Sequence, residues 1–249
     1  MLLSVNLNKI ALLRNSRGSD YPNLKKFAEQ ALEQGAEGIT LHPRPDHRHA
    51  TSNDVIELSE IVKGLGAEFN IEGNPFEKQT GDYLGFNELI KLCKPTQATL
   101  VPDTLSQITS DHGWLSGEHD NELKKTINLL KTYANRVSLF IDPTIESVDY
   151  AFSLNADAIE LYTEDYAKSY NNTSVSTSSL IENYKNILLH AKTLGLRINA
   201  GHDLNLENLP AIRSLNLIDE VSIGHAIIVD ALNYGFRDTI KRYIHITKG

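Results

Sequence analysis

Short β-rich runs alternate with amphipathic segments eight times along the chain, and this count constrains the fold more than any other feature. The strand candidates are Leu3 to Leu7, Gly38 to His42, Glu68 to Glu72, Gln97 to Val101, Val137 to Asp142, Ala158 to Tyr162, Arg197 to Ala200 and Glu220 to Ile223. Helix-period segments fill the gaps. Asn23 to Gln34 sets Leu24, Phe27, Ala28, Ala31 and Leu32 on one face and closes on Gly35. Asn53-Asp54 precedes Val55, Ile56, Leu58, Ile61 and Val62, Ser178-Ser179 leads into Leu180 to Leu194, and Asp230 to Ile244 ends the chain. Parallel strand-helix units of about 30 residues, repeated eight times, favour closure into an α/β (β/α)8 TIM barrel. An open doubly wound sheet is the alternative. Single barrels reach 249 residues, so one catalytic domain over residues 1–249 is expected.

In a barrel, chemistry belongs at the C-terminal ends of the strands and in the loops that follow. The polar residues fall there. Asn6 and Asn8 close the first strand, His42 and Arg44 the second, Asn70 and Glu72 the third, Asp142 the fifth, Glu160 the sixth, Asn199 and His202 the seventh, and Ser222 and His225 the eighth.

Charge and composition narrow the partners. With 24 Lys and Arg against 32 Asp and Glu the net charge is −8, so no broad basic face is offered to nucleic acid and any phosphate must be held locally. The lone Cys93 cannot form an internal disulfide, and no Cys/His spacing suggests structural zinc. Met1 to Ile10 lacks the pattern of a secretion signal, and no run approaches the roughly 18 apolar residues of a membrane span. A cytoplasmic protein without membrane partners is expected, and the Asn171-Asn172-Thr173 sequon reads as chance.

Several constellations carry chemistry. The segment Ile39 to His49 places three His and two Arg at or just past a strand end, a density suited to anion binding; a solvated polar loop or an imidazole metal site are the alternatives. In Glu68-Phe69-Asn70-Ile71-Glu72, period-2 alternation sends Glu68, Asn70 and Glu72 to one side, which can be the lumen. A shielded carboxylate there would titrate high, as a general base requires, whereas an exposed or ion-paired one would not. Glu160, flanked by apolar residues, has the same two readings. Asn199-Ala200-Gly201-His202-Asp203 and Ser222-Ile223-Gly224-His225-Ala226 each put Gly-His at a strand-to-helix turn, where backbone N–H groups can approach a phosphate. Two ordinary tight turns are the alternative. Arg14-Asn15-Ser16-Arg17-Gly18-Ser19 adds two cations on a loop able to fold over the mouth as a lid, or simply a solvated basic loop.

These residues resemble the pyridoxine 5'-phosphate synthase family. The likeness runs from Ser4-Val5-Asn6 through Leu13 to Gly18, Gly38 to His42, Leu100-Val101-Pro102, Ser138 to Asp142 and Asn199 to His202 to Gly224 to Ile228, in the family's order and spacing. The resemblance implies that 1-deoxy-D-xylulose 5-phosphate is joined to 3-amino-2-oxopropyl phosphate with release of phosphate and water, without metal or organic cofactor, by an octamer of barrels. It implies general-base roles for His42 and Glu72, a general-acid role for His202, and stabilisation of developing positive charge by Glu160. Arg44, His49 and Thr109 would hold the deoxyxylulose phosphate, and Asn6, Arg17, Gly224 and His225 the amino-ketone phosphate. Many members carry Asp-His in place of Asn8-Lys9 and Gly in place of Asp203, so these three substrate-site positions depart from the pattern. Lys9 can supply the positive charge of the usual His, and Asn8 keeps a hydrogen-bonding side chain. A sugar-phosphate aldolase or isomerase is the rival enzyme, but no strand core carries the lysine that a Schiff-base aldolase needs. A phosphate-ligand scaffold is the non-enzyme rival, and it would not need His42, Glu72 and His202 together.

Overall fold

A computed structural model of the chain describes residues 1–104, 106–107, 109–117, 119–170 and 177–249; the sequon at 171–173 lies outside them. Eight strands, β1 (Leu2–Asn6), β2 (Gly38–Leu41), β3 (Glu68–Gly73), β4 (Gln97–Leu100), β5 (Arg136–Ile141), β6 (Ala158–Tyr162), β7 (Arg197–Gly201) and β8 (Glu220–Ile223), pair in parallel and in sequence order. The sheet closes where Ser4 of β1 meets Ser222 of β8. The barrel is therefore realised, and the open sheet is not. The helices among the described residues are α1 (Asn8–Asn15), α2 (Leu24–Glu33), α3 (Ser52–Gly64), α4 (Phe86–Cys93), α5 (Asp120–Leu130), α6 (Ile145–Ser153), α7 (Glu164–Tyr170), α8 (Thr177–Thr193), α9 (Leu209–Ser214), α10 (His225–Tyr234) and α11 (Phe236–Lys248).

The strand alternation explains why the sheet closes as it does. One set of side chains is apolar and fully buried, including Leu3, Val5, Ile39, Leu41, Phe69, Ile71, Val137, Leu139, Ile159, Leu161, Ile198 and Val221. These belong to one continuous core with the helix faces, among them Leu24, Ala28 and Ala31 of α2 and Val55, Leu58 and Val62 of α3. Residues of opposite parity turn into the barrel, and many are polar. They satisfy one another: Ser4 and Thr40 hydroxyls meet at 2.7 Å, Thr99 donates to Asn70 at 3.0 Å, and Asn199 donates to Gln97 at 2.8 Å. At the N-terminal end Arg136 binds Gln97 Oε1 at 2.6 Å and pairs with Glu68 and Glu220, while Arg197 reaches Glu220 at 3.1 Å. This charged floor closes the lumen from below and leaves the opposite mouth to the site. Glu68 is thus ion-paired, whereas Asn70 and Glu72 on the same side of the strand continue upward into the barrel.

Two departures from the sequence expectations have local causes. Asp230 to Ile244 is not one helix: Gly235 adopts φ +75°, a left-handed conformation, and breaks it into α10 and α11. The second half then packs back on β1 and α2. Arg14 and Asn15 do not belong to a free lid but to the last turn of α1. Arg14 Nη2 binds Asp54 Oδ2 at 2.8 Å, and Asn15 Nδ2 donates to the carbonyls of His47 at 2.9 Å and His49 at 2.7 Å. Asp54 is also the capping-box partner of Thr51 at the start of α3, so α1, the 47–49 turn and α3 are fastened together.

Candidate active site

The C-terminal mouth of the barrel holds a cavity of about 310 Å3. Its lining contains every residue to which the resemblance gives a catalytic or substrate-binding role except Arg17: Asn6, Asn8, Lys9, His42, Arg44, His49, Glu72, Thr109, Glu160, His202, Asp203, Gly224 and His225; of the other strand-end residues, Ser222 lines it and Asn70, Asp142 and Asn199 do not. Arg17 lies exposed beyond α1, outside this lining. Ser110, Leu204, Ser222, Ile223 and Ala226 line it as well.

The centre of the cavity is a chain of buried groups. Glu72 Oε2 lies 3.8 Å from Nδ1 of His42, and Asn6 and Asn70 donate to its two oxygens at 3.5 and 3.4 Å. His42 in turn stands 3.8 Å, through Nε2, from Asp103 Oδ2. Asn8 fixes the backbone on which His42 sits: its Oδ1 accepts from the His42 N–H at 3.0 Å, while its own N–H donates to Asn6 Oδ1 at 3.0 Å. Asp103 pairs with Arg44 and accepts from Ser110 Oγ at 2.8 Å. Asp103 was not found from the sequence. The signal available was the one used for the other strands, a polar residue just past a strand end, here in Val101-Pro102-Asp103 after β4.

On the other side, His202 sits at φ +83° and Asp203 at φ +55°, consecutive left-handed residues that turn the chain out of β7. Thr163 Oγ1 braces this turn by donating to the carbonyls of Gly201 at 2.7 Å and His202 at 2.6 Å. The imidazole of His202 rests edge-on against Tyr162, centroids 5.0 Å apart, and near Phe140 at 5.8 Å. Close approach favours glycine at two positions. A Cβ on Gly201 would lie 2.6 Å from Glu160 Oε1, and one on Gly224 would lie 3.0 Å from Asn6 Cβ. Gly224 and His225 then open α10, so the N-terminal end of a helix dipole meets the cavity.

Burial sets the protonation states. It raises Glu72 well above the usual carboxylate range, with the charges of Glu160 and Asp103 adding to the effect. Burial, then Glu220, pushes Glu160 up to about 8, and one of its oxygens, Oε2, is buried without a hydrogen-bond partner among the described residues. The imidazoles move the other way. Burial and then Arg44 drop His42 well below its ordinary value, burial and then Lys9 lower His49 to about 4, and burial lowers His202 although Asp203 opposes it. Burial thus favours the neutral form of both carboxyls and of the three imidazoles, groups that can exchange protons with a ligand. Lys9, Arg44 and the N-terminus of α10 supply positive charge at its rim and wall. Lys9 comes from α1 and not from a strand, as expected. Among the described residues no group of three or more His, Cys, Asp and Glu is arranged to hold a metal ion.

Residues 3–249 match the family described as pyridoxal phosphate biosynthesis protein PdxJ. The chain is 46% identical over 247 residues to a pyridoxine 5'-phosphate synthase of Cytophaga hutchinsonii, covering 99% of this chain and 98% of that one. It is 43% identical to a protein of the same name from Xanthomonas axonopodis pv. citri, covering 99% and 96%. Among solved structures it resembles tryptophan synthase from M. tuberculosis, with a TM-score of 0.63 at 11% identity, covering 100% of this chain and 93% of that one. Thiamine phosphate pyrophosphorylase from Pyrococcus furiosus has a TM-score of 0.61 at 11% identity, covering 99% and 95%. At such identities these two likenesses concern the fold alone.

Proposed function

The chain belongs to the PdxJ family of pyridoxal phosphate biosynthesis proteins, and on that premise we propose that it is a pyridoxine 5'-phosphate synthase. It condenses 1-deoxy-D-xylulose 5-phosphate with 3-amino-2-oxopropyl phosphate by general acid and base catalysis, releasing inorganic phosphate and water. The observation that carries this reading is the convergence of His42, Glu72, Glu160 and His202 on one cavity that also holds Lys9, Arg44 and the start of α10.

In this reading Arg44, His49 and Thr109, with Asn8 and Lys9 beside them, hold the deoxyxylulose phosphate. Asn6, Gly224 and His225, with Asp203 adjacent and Arg17 reaching in from outside the cavity, hold the amino-ketone phosphate. His42 is neutral, the state a base needs, and it lies close enough to Glu72 for a small movement to hand a proton from one to the other. Two phosphates bring negative charge to the cavity, which works against the lowering of His202 by burial and favours the protonated form it needs to act as an acid. Glu160, poised at about 8, ionises when positive charge develops beside it. The side chains supply every proton transfer, so no metal or organic cofactor is part of the proposal.

The cytoplasmic and homo-oligomeric state, an octamer by resemblance, belongs to the same proposal. Cys93 is buried and free, no helix among the described residues is long and apolar enough to cross a membrane, and Leu13 of α1 and Leu232 of the neighbouring α10 are left largely exposed. The test is to treat the purified protein with excess chelator, add both ketone phosphates, and look for pyridoxine 5'-phosphate by absorbance and mass. Product is expected only when both ketones are present. Turnover of either one alone would favour an aldolase or isomerase, and loss of activity on chelation that zinc or manganese restores would contradict the cofactor-free mechanism.

A further inference from the structure

Asp103 is a buried acidic residue that the mechanism above does not use. One of its oxygens, Oδ2, carries its contacts to Arg44, to Ser110 and, at 3.8 Å, to His42. The other, Oδ1, is buried with no hydrogen-bond partner among the described residues. Nε of Arg44 is likewise buried without a partner, and its Nη1 makes only a long 3.5 Å bond to the Gln107 carbonyl. A half-satisfied buried ion pair is a poor way to stabilise a fold.

The pair makes better sense as a site waiting for a ligand. Arg44, Ser110 and Thr109 all face the cavity, and a guanidinium with a hydroxyl beside it presents to a phosphate the same donors it presents to a carboxylate. A phosphate dianion on Arg44 competes with the carboxylate for the guanidinium, because two anions would then crowd one cation. The segment bearing Asp103 is tied to the barrel beyond it, by Gly113 N–H to Asp142 at 2.9 Å and by Trp114 Nε1–H to the Leu100 carbonyl at 2.9 Å. Asp103's own backbone is held as well, its carbonyl accepting from Asn74 Nδ2 at 2.8 Å, so displacement of the carboxylate is a rotation of its side chain.

We propose that Asp103 is a displaceable internal counter-ion, which holds Arg44 and Ser110 in the anion-binding arrangement while the cavity is empty and yields its place to a substrate phosphate. The inference rests on the assignment of Arg44 to that phosphate. A tethered carboxylate competes at high effective concentration, so weakly binding monoanions are kept off Arg44 while a phosphate dianion with several oxygens still displaces it. The guanidinium stays ordered between turnovers and need not be organised anew for each substrate.

Calorimetric titration with inorganic phosphate tests this on the wild-type protein, Asp103→Asn and Arg44→Ala. The component of binding lost in Arg44→Ala defines the site. Asn keeps the volume and an oxygen for Arg44 and Ser110 while removing the charge, so Asp103→Asn should bind phosphate at that site about tenfold more tightly or better. A folded Asp103→Asn that binds phosphate no more tightly than wild type would overturn the proposal and leave the assignment of Arg44 standing. Phosphate binding that Arg44→Ala leaves unchanged would remove that assignment, and the proposal with it. Should Asp103→Asn fail to fold, Asp103→Ser carries the same expectation; failure of both to fold would mark the pair as structural and overturn the proposal.

Discussion

Glu72→Gln isolates proton transfer from shape. The carboxyl is buried at the end of β3, with Asn6 and Asn70 donating to its oxygens at 3.5 and 3.4 Å and His42 at 3.8 Å. Glutamine keeps the volume and one acceptor oxygen. Its NH2 would face one of the two Asn donors, and leaving that buried donor without its partner costs about 1–3 kcal/mol. Against this, the amide never carries the charge that burial, Glu160 and Asp103 all penalise, so the melting temperature should fall little or rise. Catalysis is another matter. An amide cannot accept and return protons at neutral pH, and a positioned acid-base group contributes about 10²- to 10⁴-fold. Turnover should therefore drop at least about a hundredfold, while a titration with deoxyxylulose phosphate shows binding close to wild type. Steady-state turnover, that titration and a melting curve on the same preparation suffice. A variant with turnover nearly intact and a clearly lower melting temperature would make Glu72 a structural carboxyl and leave His42 as the only supported base.

Other outcomes follow from the same geometry. Glu160 is raised to about 8 by burial and Glu220, so its folded form keeps a proton that the unfolded chain has released between about 4.5 and 8. The stability this gives is present at pH 5 and lost as pH rises through 8; the melting temperature of Glu160→Gln minus that of wild type should thus grow from pH 5 to pH 9, and a pH-independent difference would refute the assignment. Arg44→Ala should raise KM for deoxyxylulose phosphate by roughly 10- to 100-fold, since a hydrogen bond to a charged group contributes about 1.5–3 kcal/mol, and an unchanged KM would remove Arg44 from that subsite. Gly201→Ala places a Cβ 2.6 Å from Glu160 Oε1, so it should displace that carboxyl and slow turnover more than about tenfold. Wild-type turnover in this variant would show that the position of Glu160 is unimportant.

How much of this was legible in the sequence depends on which physical signal each residue left. The barrel was readable because its strands alternate apolar residues such as Ile39, Leu41, Phe69 and Ile71 with polar ones such as Thr40, Asn70 and Glu72, and closure then put the polar set into the lumen. The strand-end polar residues that line the cavity follow the same rule. Helix α1 was missed as a helix because its short span exposes Leu12 and Leu13 and buries Asn8, which blurs the expected apolar face. The break at Gly235 hides inside a helix-like pattern, since a single glycine interrupts helices only when packing favours its left-handed turn. Asp103 carries the strand-end signal, just past β4, but in an irregular segment where no periodicity reinforces it, and its importance comes from contacts with Arg44 and Ser110 across 59 and 7 positions. The ionisation of Glu72 and Glu160 was only half legible: alternation placed them inward, but the size of the shift depends on how many carboxylates share the lumen.

The most direct test of the whole account is the stoichiometry of a single turnover, with enzyme in excess over both ketone phosphates and with chelator present. One inorganic phosphate should appear for each pyridoxine 5'-phosphate formed, and neither should appear when one ketone is omitted. Phosphate released from one ketone alone, or no ring product when both are present, would contradict the claim that this cavity joins two phosphorylated ketones with its own acids and bases.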